Sequence, residues 1–322
     1  MNPELQISNC DLRCDLCGST HAKFILTTPR LDGPLVRCES CGLFYIVTPE
    51  APEIHKSASP VTAAEATARA LTESEQTAGE MRRLATRARE LSLVEPEVEE
   101  REGKWRDVTS AERLADLLRV TTGTAQGGRL LEIGSSTGEF LVAAKSSFNV
   151  MGIEADRASC AVAQARRLDC FNGTLFDAQL AASHFDVVTL YHVIEHFPNP
   201  QQILREIHRI LCPKGWVVIE TPNIANIWYK LLGARWRQFI PDHRFFFTPE
   251  TIRRSCQDNG FEVVAIDSVR KAMSVRLFLS RLGRYHKPTS QWLAQWSERL
   301  HVSGCTLQLN LGDVMRVYAR RK

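Results

Sequence analysis

Four of the ten cysteines in this 322-residue chain stand in two Cys-x-x-Cys pairs near the N-terminus. Cys14 and Cys17 form the first pair, Cys38 and Cys41 form the second, and twenty residues separate the pairs. A glycine follows each pair and permits the tight turn on which such ligands sit. Four thiolates at this spacing predict a closed tetrahedral zinc site, which has no open position for catalysis. We therefore expect structural Zn²⁺, which would supply much of the folding energy of this small unit.

A second group of chemically capable side chains is His192, Glu195 and His196, which spell His-x-x-Glu-His. This order can supply the zinc ligands of inverted metallopeptidases, in which both histidines lie on one helix face. Here the motif follows an apolar strand pattern, and prolines stand at positions 198 and 200. Because no long helix fits between them, we expect these residues in a loop and disfavour the peptidase interpretation.

A glycine-bearing loop between positions 134 and 138 is the third chemical signal. The apolar run from Leu130 to Ile133 predicts a buried parallel strand, and an amphipathic helix pattern starts near Thr137. A strand, a glycine turn and a helix start with unpaired N–H groups make a cofactor cradle. Glu154 ends the next apolar run, twenty residues after Gly134, where a carboxylate can accept both hydroxyls of a ribose. The pattern predicts a nucleoside cofactor.

Three motifs in order resemble those of class I S-adenosylmethionine-dependent methyltransferases. The residues 130–138, LLEIGSSTG, resemble the first motif of that family; residues 185–197 resemble its fourth-strand motif, and residues 211–216 resemble the turn before its fifth strand. The resemblance covers about residues 107–270 and a final strand near the C-terminus. Ser136 stands where many relatives have glycine, a difference that costs little if its φ is negative.

The resemblance implies an α/β fold, a Rossmann-like doubly wound sheet of seven strands with the last one antiparallel. Such sheets bind ligands at the carboxyl ends of their strands. The residues that the motifs assign to S-adenosylmethionine are Glu132, Gly134, Ser135, Ser136, Gly138, Glu154, Ala155, Asp177, Tyr191 and His192. Asp177 would meet the adenine amino group, and its alternative role is to cap the turn that follows it.

A methyltransferase must place a nucleophile in line with the sulfonium methyl and often removes its proton. The candidate bases are His243, Glu195 and His196. Relatives often have a histidine at the position of His243, facing the substrate cavity; alternatively, His243 is structural and bonded to Asp242. Glu195 and His196 also match the divalent-cation loop of some quinone O-methyltransferases, where His192 replaces an acid. In the simplest alternative, these polar residues brace a loop over the cofactor.

The stretch 228–247 interleaves aromatic and basic side chains. This composition suits a planar or phosphorylated substrate, and it equally suits an amphipathic lid. We expect a lid that closes over the substrate.

The predicted organisation has three parts: residues 1–50 form a zinc-ribbon module, 51–106 a linker and helical arm, and 107–322 the methyltransferase domain. Helices are expected over 61–95 and 110–122, separated by an acidic break at 95–102. Strands are expected at 130–133, 149–154, 170–174, 185–191, 216–220, 261–266 and 314–319. A helical insertion is expected at about 271–304.

Composition narrows the class of protein. Of all residues 44% are hydrophobic, which supports a sizeable core, and the formal net charge of +3 is too small to indicate nucleic-acid binding by itself. We expect no signal peptide and no membrane span, because the N-terminus lacks an apolar core and no apolar run is long enough. Paired cysteines that bind metal fit a reducing, cytoplasmic location.

The sequence therefore predicts methyl transfer from S-adenosylmethionine to a small-molecule acceptor, with oxygen as the preferred atom. One alternative is an RNA methyltransferase with a zinc module. Sugar C-methyltransferases share the zinc-module arrangement but carry a large additional C-terminal domain. A further alternative is a non-catalytic scaffold, against which the intact Glu132, Gly134, Gly138 and Glu154 argue. The acceptor, the oligomeric state and any cation at Glu195 and His196 are left open.

Overall fold

The computed structural model describes residues 12–47, 96–123, 125–275, 279, 287–299 and 306–322. The helix expected over 61–95 lies outside these residues. The strands are β1 (Ala22–Leu26), β2 (Leu35–Cys38), β3 (Phe44–Ile46), β4 (Arg129–Ile133), β5 (Asn149–Glu154), β6 (Cys170–Asn172), β7 (Phe185–Tyr191), β8 (Leu211–Pro222), β9 (Phe245–Phe246), β10 (Phe261–Ser268), β11 (Lys271–Ser274), β12 (Thr306–Leu309) and β13 (Val314–Arg321). The helices are α1 (Pro96–Val120), α2 (Glu139–Ala144), α3 (Arg157–Ala165), α4 (Pro200–Ile210), α5 (Ile227–Leu232), α6 (Pro249–Asp258) and α7 (Lys287–Arg299).

A seven-stranded sheet organises the larger part of the chain, with the order β10-β13-β8-β7-β4-β5-β6. The five strands from β8 to β6 are parallel to one another, and β13 pairs antiparallel with both β8 and β10. The order reverses direction between β4 and β7, which is where open α/β sheets bind ligands. The predicted α/β fold with seven strands and an antiparallel last strand is confirmed.

Alternating side chains of the central strands enter two separate cores. In β4, Leu131 joins a core that contains Ile203 of α4 and Ile252 of α6. Its neighbour Leu130 joins a core on the opposite face, with Phe140 of α2. Period-two alternation on a sheet covered on both faces explains why these strands read as continuous apolar runs. The layered packing fixes the carboxyl ends of the strands that surround the candidate site.

One expectation about this part of the chain is wrong, and a second is met only in part. The acidic segment 95–102 was expected to be a non-helical break, but all of it from Pro96 onward belongs to α1. Proline is well suited to the first turn of a helix. The insertion expected to be helical contains α7, but β11 and β12 flank it and pair antiparallel. The isolated aromatic and leucine residues of this segment gave a helical pattern, whereas the hairpin depends on pairing across more than thirty residues.

The four-cysteine module, residues 12–47, forms a small antiparallel sheet that a strand of the larger domain completes. Strands β1, β2 and β3 pair in sequence, and β9 adds to β3 as the fourth strand. Phe44 lies opposite Phe246, and Tyr45 lies opposite Phe245. The module therefore shares backbone hydrogen bonds with the segment that follows His243.

None of the helices among the described residues has both the length and the apolar character needed to cross a membrane.

Candidate functional site

A cavity of about 330 Å³ opens at the carboxyl ends of β4, β5 and β7. Six of the ten residues assigned to the cofactor line it: Gly134, Ser136, Glu154, Ala155, Tyr191 and His192. Its wall also includes apolar side chains such as Val193 and Phe197, together with His196 and Asp242. The structure thus brings the predicted cradle and one of the three candidate bases to the same cavity.

Two glycines shape the loop between β4 and α2. Gly134 has φ of 72° and Gly138 has φ of 83°, a left-handed conformation that favours glycine. A Cβ at Gly134 would lie 2.6 Å from a methyl carbon of Val193, and one at Gly138 would lie 2.4 Å from a methyl carbon of Leu168. Both the backbone conformation and the close packing therefore require glycine at these positions.

Ser136 has φ of 49°, whereas a serine in place of glycine was expected to cost little only if this angle were negative. Its backbone N–H donates to Oε2 of Glu154 at 2.7 Å, and the N–H of Asp156 donates to Oε1 at 2.8 Å. These two bonds hold the loop and the end of β5 together. Glu154 therefore supports the loop as well as lining the cavity, a role that its position in the sequence did not reveal.

The other four residues assigned to the cofactor lie outside the cavity lining. Glu132 is buried beneath it, and burial raises the pKa of this carboxyl well above its usual range. Ser135 is buried against Cys170, and Gly138 precedes α2. Asp177 accepts hydrogen bonds from the N–H and the hydroxyl of Thr174, both at 2.9 Å. These contacts close the turn that precedes Asp177, whereas the alternative role placed its side chain at the turn that follows.

The three candidate bases lie together at one end of the cavity. A 3₁₀ turn, Ile194–His196, follows β7 and carries Glu195 and His196, while His243 lies just before β9. The two histidine rings pack edge to face, with centroids 4.7 Å apart. One ligand atom from each of Glu195, His196 and His243 can be chosen so that all three lie within 4.8 Å of one another. Only His196 reaches the cavity, because Glu195 and His243 are buried. His243 therefore does not line this cavity, and its role as a base stays a prediction.

Hydrogen bonds to backbone carbonyls fix both rings. Nδ1 of His196 is 3.1 Å from the carbonyl oxygen of Asp242, and Nδ1 of His243 is 2.9 Å from that of Gln238. A carbonyl can only accept, so each Nδ1 carries a proton, and the lone pair of the neutral form of each ring lies on Nε2. Burial is the main reason that the pKa of His243 is lowered to about 3, so this ring is neutral at pH 7.

The Glu195 carboxylate is held in its ionised form. Burial alone would raise its pKa, but contact with His192 and the charge of the His192 ring lower the pKa to about 2. Thr221 donates to Oε2 at 3.0 Å. Oε1 lies 3.4 Å from Nδ1 of His192 and makes no hydrogen bond of good geometry within the described part of the chain. Nε2 of His243 is 4.0 Å from this Oε1. Two electron-pair donors therefore face each other, an arrangement that suits a proton donor or a cation between them.

A network of buried charges behind the cavity was missed by sequence reasoning. Glu220, at the end of β8, contacts Arg113 at 2.7 Å, Arg316 at 2.8 Å and Nε2 of His192 at 3.1 Å. His192 also lies 3.4 Å from Glu195, and these two acids raise its pKa although burial would lower it. Glu220 could have been found from the sequence, because an acid at the end of the apolar run of residues 216–220 indicates a buried charge that needs a partner. The arginines gave none, because their partner is about a hundred residues away in the sequence.

The aromatic segment 228–247 packs mainly on the four-cysteine module and does not close over the cavity. Trp236, Phe239 and Phe246 form one buried cluster with Leu35 and Ile46 of the module. Helix α5 within the segment has no buried residue. The expected lid is therefore wrong for most of this segment, since its aromatic side chains serve as the interface to the module.

The cysteines of the module cluster as their spacing predicts. Sγ of Cys14 is 3.5 Å from Sγ of Cys41, and Sγ of Cys17 is 3.5 Å from that of Cys38. All four sulfur atoms lie within 4.8 Å of one another. Tetrahedral zinc with bonds of about 2.3 Å needs sulfur atoms about 3.8 Å apart, so the donor set and its dimensions fit this ion.

Residues 99–266, more than half of the chain, match the family model described as "Methyltransferase domain". The ubiquinone biosynthesis O-methyltransferase of Leptothrix cholodnii is 26% identical over 162 residues, which cover 45% of this chain and 69% of that protein. The ubiquinone biosynthesis O-methyltransferase of Pseudomonas aeruginosa is 30% identical over 154 residues, which cover 42% of this chain and 66% of that protein. About a third of each relative's length therefore lies outside the match.

Among solved structures, the YcgJ protein from Bacillus subtilis is similar over 64% of this chain and 97% of its own length. The sequence identity is 13% and the TM-score is 0.43.

Proposed function

Because this chain belongs to the methyltransferase domain family, we propose that it transfers the methyl group of S-adenosylmethionine to a hydroxyl oxygen of a small aromatic molecule. The observation that carries this proposal is the position of His196. Its ring lines the cavity beside the glycine loop, and its Nδ1 is fixed by the carbonyl of Asp242, which leaves the lone pair of Nε2 as an acceptor.

The cradle supports the cofactor half of the proposal. S-adenosylmethionine supplies an activated methyl group, so the protein mainly has to bind and orient the reactants. The Glu154 carboxylate lines the cavity and is expected to accept the ribose hydroxyls, while the loop from Gly134 to Ser136 would admit the close approach of the amino-acid part. Tyr191 and Val193 provide the apolar wall.

His196 is the proposed general base. Proton removal by a positioned side chain typically contributes about 10²- to 10⁴-fold to a rate. A phenolic hydroxyl has a pKa near 10 and is therefore within reach of a neutral imidazole, whereas an aliphatic hydroxyl is far less acidic. The names of the two relatives, both O-methyltransferases, favour oxygen as the acceptor atom.

The test compares single-turnover methyl transfer by the wild type and by His196→Gln at saturating S-adenosylmethionine, with a panel of mono- and dihydroxybenzenes. We expect the substitution to lower the rate by about 10²- to 10⁴-fold while the affinity for S-adenosylhomocysteine stays within about twofold. As the matched control, the buried His243→Gln should act on stability more than on the pH dependence of the rate. A wild-type rate and pH profile in His196→Gln would eliminate His196 as the base.

A cation-assisted version of this reaction is the second candidate, and the buried carboxylate favours it. One carboxylate oxygen of Glu195 and one ring nitrogen each of His196 and His243 form a carboxylate and two-imidazole donor set that divalent metals accept. A cation held there would lower the pKa of a bound hydroxyl. If this version holds, chelator-treated protein should lose transfer and recover it with added Mg²⁺, Mn²⁺ or Zn²⁺, whereas an undiminished rate after chelation leaves His196 alone as the base.

Zinc in the four-cysteine module is the remaining part of the proposal. Cys14, Cys17, Cys38 and Cys41 would hold one Zn²⁺, which contributes folding energy on the order of 10 kcal/mol in small units of this kind. Purified, reduced protein should contain about one equivalent of zinc by atomic absorption, and Cys38→Ser should lose it. Cys212→Ser, outside the module, is the matched control and should keep the metal. Freshly prepared protein without zinc would refute the assignment.

A further inference from the structure

Three hydrogen bonds join the four-cysteine module to the segment around His243 and to the helix that follows Glu195 and His196. One of them lies on the side of Glu195 and His196, and the others lie on either side of His243 in the sequence. From this arrangement we infer that the module, through Asp15, Asp32 and the backbone of Ile46, positions the candidate base cluster of the methyl-transfer site. The inference deepens the proposed function, since it concerns the same site.

Asp15 caps the helix that follows Glu195 and His196. Its carboxylate accepts a hydrogen bond of 2.9 Å from the backbone N–H of Gln201, the second residue of α4. The residue before the helix, Asn199, does not cap it with its own side chain. A helix N-terminus leaves N–H groups without intrahelical partners, and a carboxylate there is stabilising. The first Cys-x-x-Cys turn, which contains Asp15, therefore fixes the start of α4.

The backbone on both sides of His243 is held between the module and the Glu195–His196 turn. Before His243, the N–H of Asp242 donates to the Asp32 carboxylate at 3.3 Å, while its carbonyl accepts from His196 at 3.1 Å. After His243, the carbonyl of Arg244 accepts from the N–H of Ile46 at 2.8 Å, and its N–H donates to the carbonyl of Glu195 at 2.9 Å. Asp242 and Arg244 thus each make one hydrogen bond to the module and one to the Glu195–His196 turn.

The conformation of this segment depends on such support. Asp242 has φ of 74°, which costs an aspartate more than it would cost glycine. The pairing of β3 with β9 continues the same interface, and Tyr45 stacks on Phe245 with ring centroids 6.4 Å apart. Side chains on the module also enter the core that contains Phe197, directly after His196. A strained segment held from two directions has its geometry set by both partners.

The test uses full-length Asp15→Ala and Asp15→Asn, with Glu39→Ala, an exposed acid of the same module, as the control. The ring ¹⁵N signals of His196 and His243 are recorded with S-adenosylhomocysteine bound, and single-turnover rates are measured alongside. We expect Asp15→Ala to shift both ring signals and to lower the rate about ten- to a hundredfold, because small displacements in a positioned site have effects of this size. Asp15→Asn keeps a carbonyl oxygen as acceptor, so its ring signals and its rate should both be close to those of the wild type.

The outcomes separate this inference from the proposed function. Wild-type ring signals and a wild-type rate in folded Asp15→Ala would overturn the inference, as would a parallel loss of S-adenosylhomocysteine affinity, which would indicate general unfolding. If Asp15→Ala does not fold, Asp32→Ala provides the same comparison through the N–H of Asp242, and unchanged signals there count against the inference. If the wild type transfers no methyl group to any acceptor, the proposed function fails, but the ring signals still decide whether the module positions the cluster.

Discussion

Replacing Glu154 with alanine removes the acceptor that the ribose would use and also releases the glycine loop. The carboxylate accepts from the N–H of Ser136 at 2.7 Å and from that of Asp156 at 2.8 Å, so its loss frees two backbone donors next to the cavity. A hydrogen bond to a charged group contributes about 1.5–3 kcal/mol. At 1.4 kcal/mol per decade, this corresponds to roughly ten- to a hundredfold weaker binding.

Isothermal titration calorimetry with S-adenosylmethionine and S-adenosylhomocysteine measures this effect. Both ligands present the same ribose, so Glu154→Ala should weaken them equally. Burial raises the pKa of Glu154, so wild-type affinity should begin to fall on acidification at a pH above the usual glutamate range, as the carboxylate is protonated. Glu139→Gln, an acid of α2 outside the cavity lining, is the control. Unchanged affinity in Glu154→Ala, or a loss confined to one ligand, would refute this account of the site.

Three further predictions concern stability and shape. Glu220→Gln leaves the buried Arg113 without a counter-charge and Arg316 with Asp116 alone, so the free energy of unfolding in urea should fall by about 3–5 kcal/mol. The control Glu206→Gln, whose partner Arg209 is exposed, should lose less than about 1 kcal/mol; equal losses would contradict the buried network. His243 has a folded pKa of about 3 against 6.5 unfolded, so between these values only the unfolded chain binds its proton and stability falls with decreasing pH. His243→Gln should flatten this slope by about 1.4 kcal/mol per pH unit between pH 6.5 and 4.5, and an unaltered slope would show that the ring is not neutral when folded. Gly134→Ala should weaken S-adenosylhomocysteine binding by about tenfold through contact with Val193, whereas Gly127→Ala, with a similar φ and open space around it, should lose only stability; equal affinities would exclude the contact.

The sequence predicted the features that depend on local pattern. Apolar runs that end in glycine or an acid, such as the run from Leu130 to Gly134, predicted the positions of the central strands. The two Cys-x-x-Cys pairs gave the cysteine cluster, because ligand spacing within each turn is a local property. Six of the ten cofactor assignments reached the cavity for the same reason, since they lie at or just after strand ends.

The remaining features depend on contacts between distant segments. No local pattern shows that β9 completes the sheet of the module, and the aromatic residues around Trp236 looked like a lid because their partners are far away in the sequence. The burial of His243 likewise could not be predicted, because the segment that carries it is held against the distant module. The positive φ of Ser136 likewise depends on the hydrogen bond from its N–H to Glu154.

The most direct test of the central claim is product analysis after incubation of the full-length protein with S-adenosylmethionine labelled with ¹³C in its methyl group and the panel of hydroxybenzenes. The account predicts a labelled methyl ether on a ring hydroxyl, formed together with an equal amount of S-adenosylhomocysteine. Label on carbon or nitrogen would contradict the choice of oxygen. Tight cofactor binding without any labelled product, across the whole panel and with divalent cations added, would contradict the proposed reaction itself.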